Sequence, residues 1–179
     1  MFMEMALIPR FTLILSHPVY SASVVLATIL VLAGFGSLVI RRVEARTGKA
    51  LWISFSIILL WTLFLILTGD RLFNMALGWS FQHRLVFSIL TISVLSFFLG
   101  WPFPSGLLAL SKRHQSLIPW AWGINGCASV TGAVLGKIIA MSLGFNSLLF
   151  LACVMYFFAV LIFYLLLQDP GRVRSSIIT

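Results

Sequence analysis

Residues 19–40 form a run of 22 residues without one charged side chain. As a helix rising about 1.5 Å per residue, such a run crosses a hydrocarbon layer of about 30 Å. Four further apolar stretches follow: residues 51–67, residues 85–110 with prolines inside, residues 119–143 and residues 147–167. A backbone crossing hydrocarbon must satisfy its own hydrogen bonds, which leaves helices or a closed barrel. None of the five stretches alternates with period two, as barrel strands do, so the pattern predicts helices. Charged residues make up 9% of the chain, against about 25% in a soluble domain. The expectation is therefore an all-α, polytopic transmembrane bundle forming a single integral membrane domain over residues 1–179.

The charge is lopsided, with 12 Lys and Arg against 4 Asp and Glu. Nucleic acid is the first partner to consider for a basic soluble chain, but the positions here speak for topology. Eight of the twelve are Arg41, Arg42, Arg46 and Lys49, then Lys112 and Arg113, then Arg172 and Arg174, all in short connections or the tail. The positive-inside rule puts these on the cytoplasmic side. The resulting expectation is a multi-pass protein of a bacterial inner membrane with a cytoplasmic C-terminus, the lipid bilayer as partner and no nucleic acid. His17 to Tyr20 then lies at the outer face. Residues 70–83, with Leu72, Phe73, Leu77, Trp79 and Phe81, are expected to lie flat in the outer interface.

The first fifteen residues carry only Glu4 and Arg10 as charges, with Pro9 between. No cationic region precedes them, so a signal peptide does not fit. As a helix they reach about 22 Å, short of a full span. The segment reads as the outer half of a helix, giving five full spans plus a partial N-terminal helix and the expectation of a fragment of a longer ancestral protein. An ionisable group at membrane depth demands a partner or a function. Glu4 and Arg10 are expected to pair, and a proton or cation relay through Glu4 is the sharper alternative. Lys137 is expected to extend its ammonium to the headgroups.

Two further motifs stand out. WPFPSG, residues 101–106, breaks the third span: Pro102 and Pro104 remove backbone donors and Gly106 eases the bend. The break is read first as a structural kink, with a ligand site of the kind transporters place at such breaks as the sharper alternative. In the fourth span, opened by Pro119 at its first turn, Ala128, Gly132, Gly136 and Ala140 recur every four residues. This ridge lets another helix backbone approach closely. Asn125, Ser129 and Lys137 lie on a neighbouring line, and Asn125 serves either an interhelical hydrogen bond or a polar pathway. Asn146 is expected to cap the fifth span. Cys127 and Cys153 fall at different depths and are read as packing residues. There is no phosphate-binding glycine loop, no HExxH and no CxxC, and His17, His83 and His114 lie in separate segments. No metal, no cofactor and no catalytic residue is therefore assigned.

Three segments, MEMALIPRFTLILSHPVYSASVVLATILVLAGFGSL, GWPFPSGLLAL and PWAWGINGCASVTGAVL, cover much of the chain. They resemble the C-terminal membrane region of large bacterial proteins that fuse transmembrane helices to a spermidine-synthase-like domain. The resemblance implies a methyltransferase-like catalytic domain elsewhere, since its glycine-rich loop and acidic residues have no counterpart here. It aligns Glu4 and Arg10 with the first-helix pattern, and Pro102, Pro104, Gly106, Trp120 and Asn125 with the break and the following span. Lys137 departs from it, standing where a small or hydroxyl residue belongs. The function expected is that of a membrane anchor or scaffold for a spermidine-synthase-like domain, with no catalysis by this chain alone. A small-solute transporter and an accessory subunit of a larger membrane complex are the alternatives.

Overall fold

A computed structural model describes residues 2–42, 47–111 and 114–168. Arg46, Lys112, Arg113, Arg172 and Arg174 lie outside these residues. The described chain is helical throughout: α1 (Phe2–Leu15), α2 (Pro18–Arg42), α3 (Thr47–Ala76), α4 (Phe81–Leu99), α5 (Pro102–Ser111), a 3₁₀ turn at Gln115–Leu117, α6 (Ile118–Leu143) and α7 (Phe145–Gln168). Among the described residues, five segments are long and apolar enough to cross a membrane: Pro18–Arg42, Leu51–Ala76, Phe81–Ser111, Gln115–Leu143 and Phe145–Ile162.

α1, 14 residues long, is enclosed by its neighbours. α1 buries Met3, Ala6, Leu7, Arg10, Phe11, Ile14 and Leu15, which face several directions around its axis. It packs against α2, α4, α6 and α7, and Met3 meets Thr62 of α3. Ala6, Phe11 and Ile14 share one core with Val25, Ile58, Leu95, Leu148 and Leu149. Pro9 sits inside the helix. The carbonyl of Ile8 accepts hydrogen bonds from Ser21 at 2.7 Å and Thr12 at 2.8 Å. The Ser21 bond ties the turn beside Pro9 to the start of α2.

α1 turns into α2 at Ser16, whose φ is 60°. Arg84 of α4 reaches across to this turn, donating to the Ile14 carbonyl at 3.1 Å and the Ser16 hydroxyl at 3.5 Å. A cation over the last carbonyls of α1 also meets the negative end of its dipole. The Ser16 turn, residues 77–80 and Gly144 thus mark one end of the bundle, and Arg42 and Ser111 mark the other.

α2 and α4 share the most extensive helix contact, and glycine makes it possible on both sides. A methyl group on Gly100 would fall on the Ala33 carbonyl, and one on Gly36 would fall on the Phe97 carbonyl. Other polar ties between helices run from Ser54 to the Phe98 carbonyl at 3.3 Å and from the Trp61 indole to the Thr91 carbonyl at 3.0 Å. The buried Thr62, Ser88, Thr91 and Ser96 each donate to a carbonyl one turn back. Apolar surroundings demand these internal partners.

The break in the third span falls at Gly100 and Trp101, and α5 restarts at Pro102 with Pro104 also in its first turn. Two expectations change. Residues 70–76 do not lie flat but continue α3, because Phe73 and Ala76 join the main core. α7 starts at Phe145, so Asn146 lies inside its first turn and is not its cap. The chain turns between α6 and α7 at Gly144, where φ is 85°, and the Asn146 side chain is used elsewhere.

The glycine contacts give a prediction. Gly36→Val or Gly100→Ala should destabilise the chain in detergent by about 2 kcal/mol or more, since backbone must move. Gly34→Ala should be neutral or slightly stabilising, because nothing lies within 4 Å of the added methyl. Thermal unfolding of the three variants beside the parent checks this.

Candidate functional site

The polar site of the bundle gathers on Arg10. The residue is 5% exposed. Nη1 donates to the Leu65 carbonyl at 3.2 Å, and Nη2 donates to Asp70 Oδ1 at 3.3 Å and to Asn146 Oδ1. The guanidinium carbon stands 5.6 Å from the centre of the Phe73 ring, a cation–π distance. One α1 side chain is thereby tied to α3 and α7 together. Asp70 is 74% exposed at its side chain while Arg10 is 6% exposed, so the pair spans the boundary between core and surroundings. Gly69 makes room: a Cβ there would stand 2.8 Å from Arg10 Nη1.

The acid that pairs with Arg10 is Asp70, in place of the expected Glu4. Helix geometry gives the reason, since six residues along one helix turn a side chain by about 240°. Glu4 is half-buried and lies in electrostatic range of Tyr156 on α7. Beside Asn146 an apolar groove of about 520 Å³ runs between α3, α6 and α7, lined by Ile66, Ile139, Leu143 and Phe150. Every group around the guanidinium accepts from it, so the cluster acts as a tie between helices.

The other expected residues do not join Arg10. Pro102 and Pro104 shape the start of α5. Phe103 between them meets Trp122 of α6 edge-on at 4.9 Å. Gly106 is exposed, with nothing within 4 Å of an added side chain. The Trp101 indole N–H is buried at the break with no acceptor among the described residues. Trp120 is 71% exposed, and Asn125 is exposed on the same stretch of α6. About 27 Å of helix separates Asn125 from Leu143, beyond which the Arg10 cluster begins. Lys137 is exposed, and Cys127 and Cys153 are both free.

The small-residue ridge on α6 is used over half its length. Gly136 and Ala140 are buried, and the neighbours of Gly136 are Phe2 and Met5 of α1. Gly132 is half-buried and Ala128 is exposed. Asn125 lies eleven residues before Gly136, three turns and nearly the same face. Towards Asn125 this face of α6 becomes more exposed.

Asp70, Asn146, Phe73 and the Leu65 carbonyl were not singled out from sequence as Arg10 partners. They are 55 to 136 residues away, so no local spacing carries the signal. The one available clue is that a buried guanidinium needs several acceptors. No family model, no curated protein and no solved structure matches this chain.

Arg10→Ala should cost about 3 kcal/mol, because one side chain holds α1 to two other helices. Asp70→Asn should cost under about 1 kcal/mol, since its carboxylate is solvated and the Leu65 and Asn146 acceptors remain. Unfolding titrations in mixed micelles would rank the two variants. Equal losses would place the stabilisation in the exposed pair instead of the buried acceptors.

Proposed function

We propose that this chain is the membrane module of a larger assembly, an anchor and scaffold for a soluble spermidine-synthase-like domain. The observation that carries the reading is the uneven burial of α6. Its second half is packed into the bundle through Gly136 and Ala140, while Trp120, Trp122, Gly123, Asn125 and Gly126 are exposed in its first half. Within α6 the buried residues are Gly136 and Ala140. A carboxamide and two glycines facing lipid stabilise nothing by themselves, whereas against another protein they allow close approach and a hydrogen bond. The Arg10 cluster supports the same reading, since its polar atoms are spent on holding helices together.

The sequence resemblance supplies the catalytic partner's class, a methyltransferase-fold protein that would use S-adenosylmethionine or its decarboxylated form. The basic connections assign the Arg42 end and the C-terminus to the cytoplasm of a bacterial inner membrane, where such a soluble domain would reside.

A mild-detergent pull-down of the tagged chain from its native host tests the proposal. A methyltransferase-fold protein recovered in fixed ratio is the expected result. Recovery of the chain alone and intact contradicts it. Fluorescence of a green fluorescent protein fused after Thr179 should be bright if the C-terminus is cytoplasmic, and dark if the topology is inverted.

A further inference from the structure

We infer that the groove between α3, α6 and α7, at the Gly144 end of the bundle, binds one phospholipid with a primary ammonium headgroup, of the phosphatidylethanolamine class. Ile66 of α3, Ile139 and Leu143 of α6, and Phe150 and Leu151 of α7 wall a space of about 520 Å³. Pockets for small molecules hold about 300–1,000 Å³. These five side chains are hydrocarbon throughout. Ser147 also lines the groove, but its hydroxyl is spent on the Leu143 carbonyl at 2.8 Å. The walls therefore suit an acyl chain, which asks for no hydrogen bond.

The polar groups stand at one end. Asn146 lines the groove from the first turn of α7. Its Oδ1 accepts from Arg10 Nη2, and the same nitrogen donates to Asp70 Oδ1 at 3.3 Å. Sharing that nitrogen sets Asp70 beside Asn146, at the polar end of the groove. Asp70 also follows Ile66 by about one turn of α3, on the same side of the helix. A guanidinium carries donors only, so it fixes the Asn146 amide with its oxygen towards Arg10 and its NH₂ group turned away. That NH₂ group and Asp70 Oδ2 make no hydrogen bond among the described residues. The Asp70 side chain is 74% exposed.

The site thus offers a carboxylate oxygen, then an amide donor, then an apolar groove. Its complement carries a cation, then an acceptor, then a hydrocarbon chain. Phosphatidylethanolamine has that order: the ammonium donates to Asp70, a phosphate or ester oxygen accepts from Asn146, and an acyl chain lies along Ile66, Ile139 and Leu143. The N–H donors make the selection, because a charge-assisted hydrogen bond to the carboxylate needs them. A choline headgroup has no N–H to give. A glycerol headgroup leaves the lipid with a net negative charge beside Asp70.

Native mass spectrometry of the delipidated full chain tests this, with phosphatidylethanolamine, phosphatidylcholine and phosphatidylglycerol of the same acyl chains offered in turn. The expected result is a one-to-one phosphatidylethanolamine adduct about five-fold more abundant than that with either other lipid, the scale of one charge-assisted hydrogen bond. Asp70→Asn should reduce this adduct to the phosphatidylcholine level, and Asp70→Glu should restore the preference. Leu143→Trp, which fills the groove from a position 68% exposed, should lower the adducts of all three lipids. Met141→Trp, on the far side of α6 and 80% exposed, should leave them unchanged. Equal binding of the three lipids, a preference for phosphatidylglycerol, or indifference to Asp70→Asn or to Leu143→Trp would each overturn the site. A dimer that Leu143→Trp dissociates would also overturn it, giving the groove to a second copy. The pull-down above reads none of these quantities, so the scaffold reading and the lipid site stand or fall separately.

Discussion

A guanidinium at membrane depth must find its hydrogen-bond acceptors inside the protein, and in this chain that requirement positions the central helix. Arg10 finds the Leu65 carbonyl and Asp70 on α3 and the Asn146 amide oxygen on α7. Those acceptors come from elements far apart in sequence, so the pairing is available only when α1 lies between α3 and α7. The apolar contacts then follow: Phe11 meets Phe73 edge-on at 5.4 Å, and Phe73 meets Phe87 of α4 at 6.5 Å. Helix association in lipid lacks the hydrophobic driving force available in water. A polar tie with several acceptors and close packing at glycine therefore matter more here than the abundance of leucine and phenylalanine.

The same economy of contacts explains why one helix is unevenly covered. α2 and α4 approach through paired glycines, α1 is enclosed by its neighbours, and α6 meets the bundle through its second half. What remains of α6 carries glycines, an asparagine and the tryptophans Trp120 and Trp122. Tryptophan at a span's end suits the membrane interface. Asparagine and glycine within the apolar layer suit contact with protein, and this contrast within one helix underlies the scaffold proposal.

The fold was legible because bilayer thickness converts directly into length. The uncharged run of residues 19–40, the Pro119 start and the break at WPFPSG need no tertiary information, and each is matched by a helix boundary or interruption. Residues 70–83 misled because a run of apolar and polar residues fits either an interfacial helix or the end of a long span. Burial of Phe73 and Ala76 decides between them, and burial is a tertiary property. Asn146 misled in the opposite way: a short polar side chain at a helix start has a local role by default, and only the placement of Arg10 from 136 residues away gives it another. The Glu4–Arg10 expectation treated nearness in sequence as nearness in space, whereas six residues on a helix face different directions. The ridge on α6 is visible in sequence as a four-residue spacing, but which of its residues are covered, Gly136 and Ala140 and not Ala128, is a tertiary property.

The central claim is that Arg10 stabilises the bundle through its bond to Asn146, beyond what either side chain contributes alone. A double-mutant cycle with Arg10→Met, Asn146→Leu and the combined variant, measured by reversible unfolding in mixed micelles, tests it most directly. The account predicts a coupling energy of about 1–2 kcal/mol, with the double variant losing clearly less than the sum of the single losses. Strictly additive losses would show that the two side chains act independently, and the tie between α1 and α7 would have to lie elsewhere.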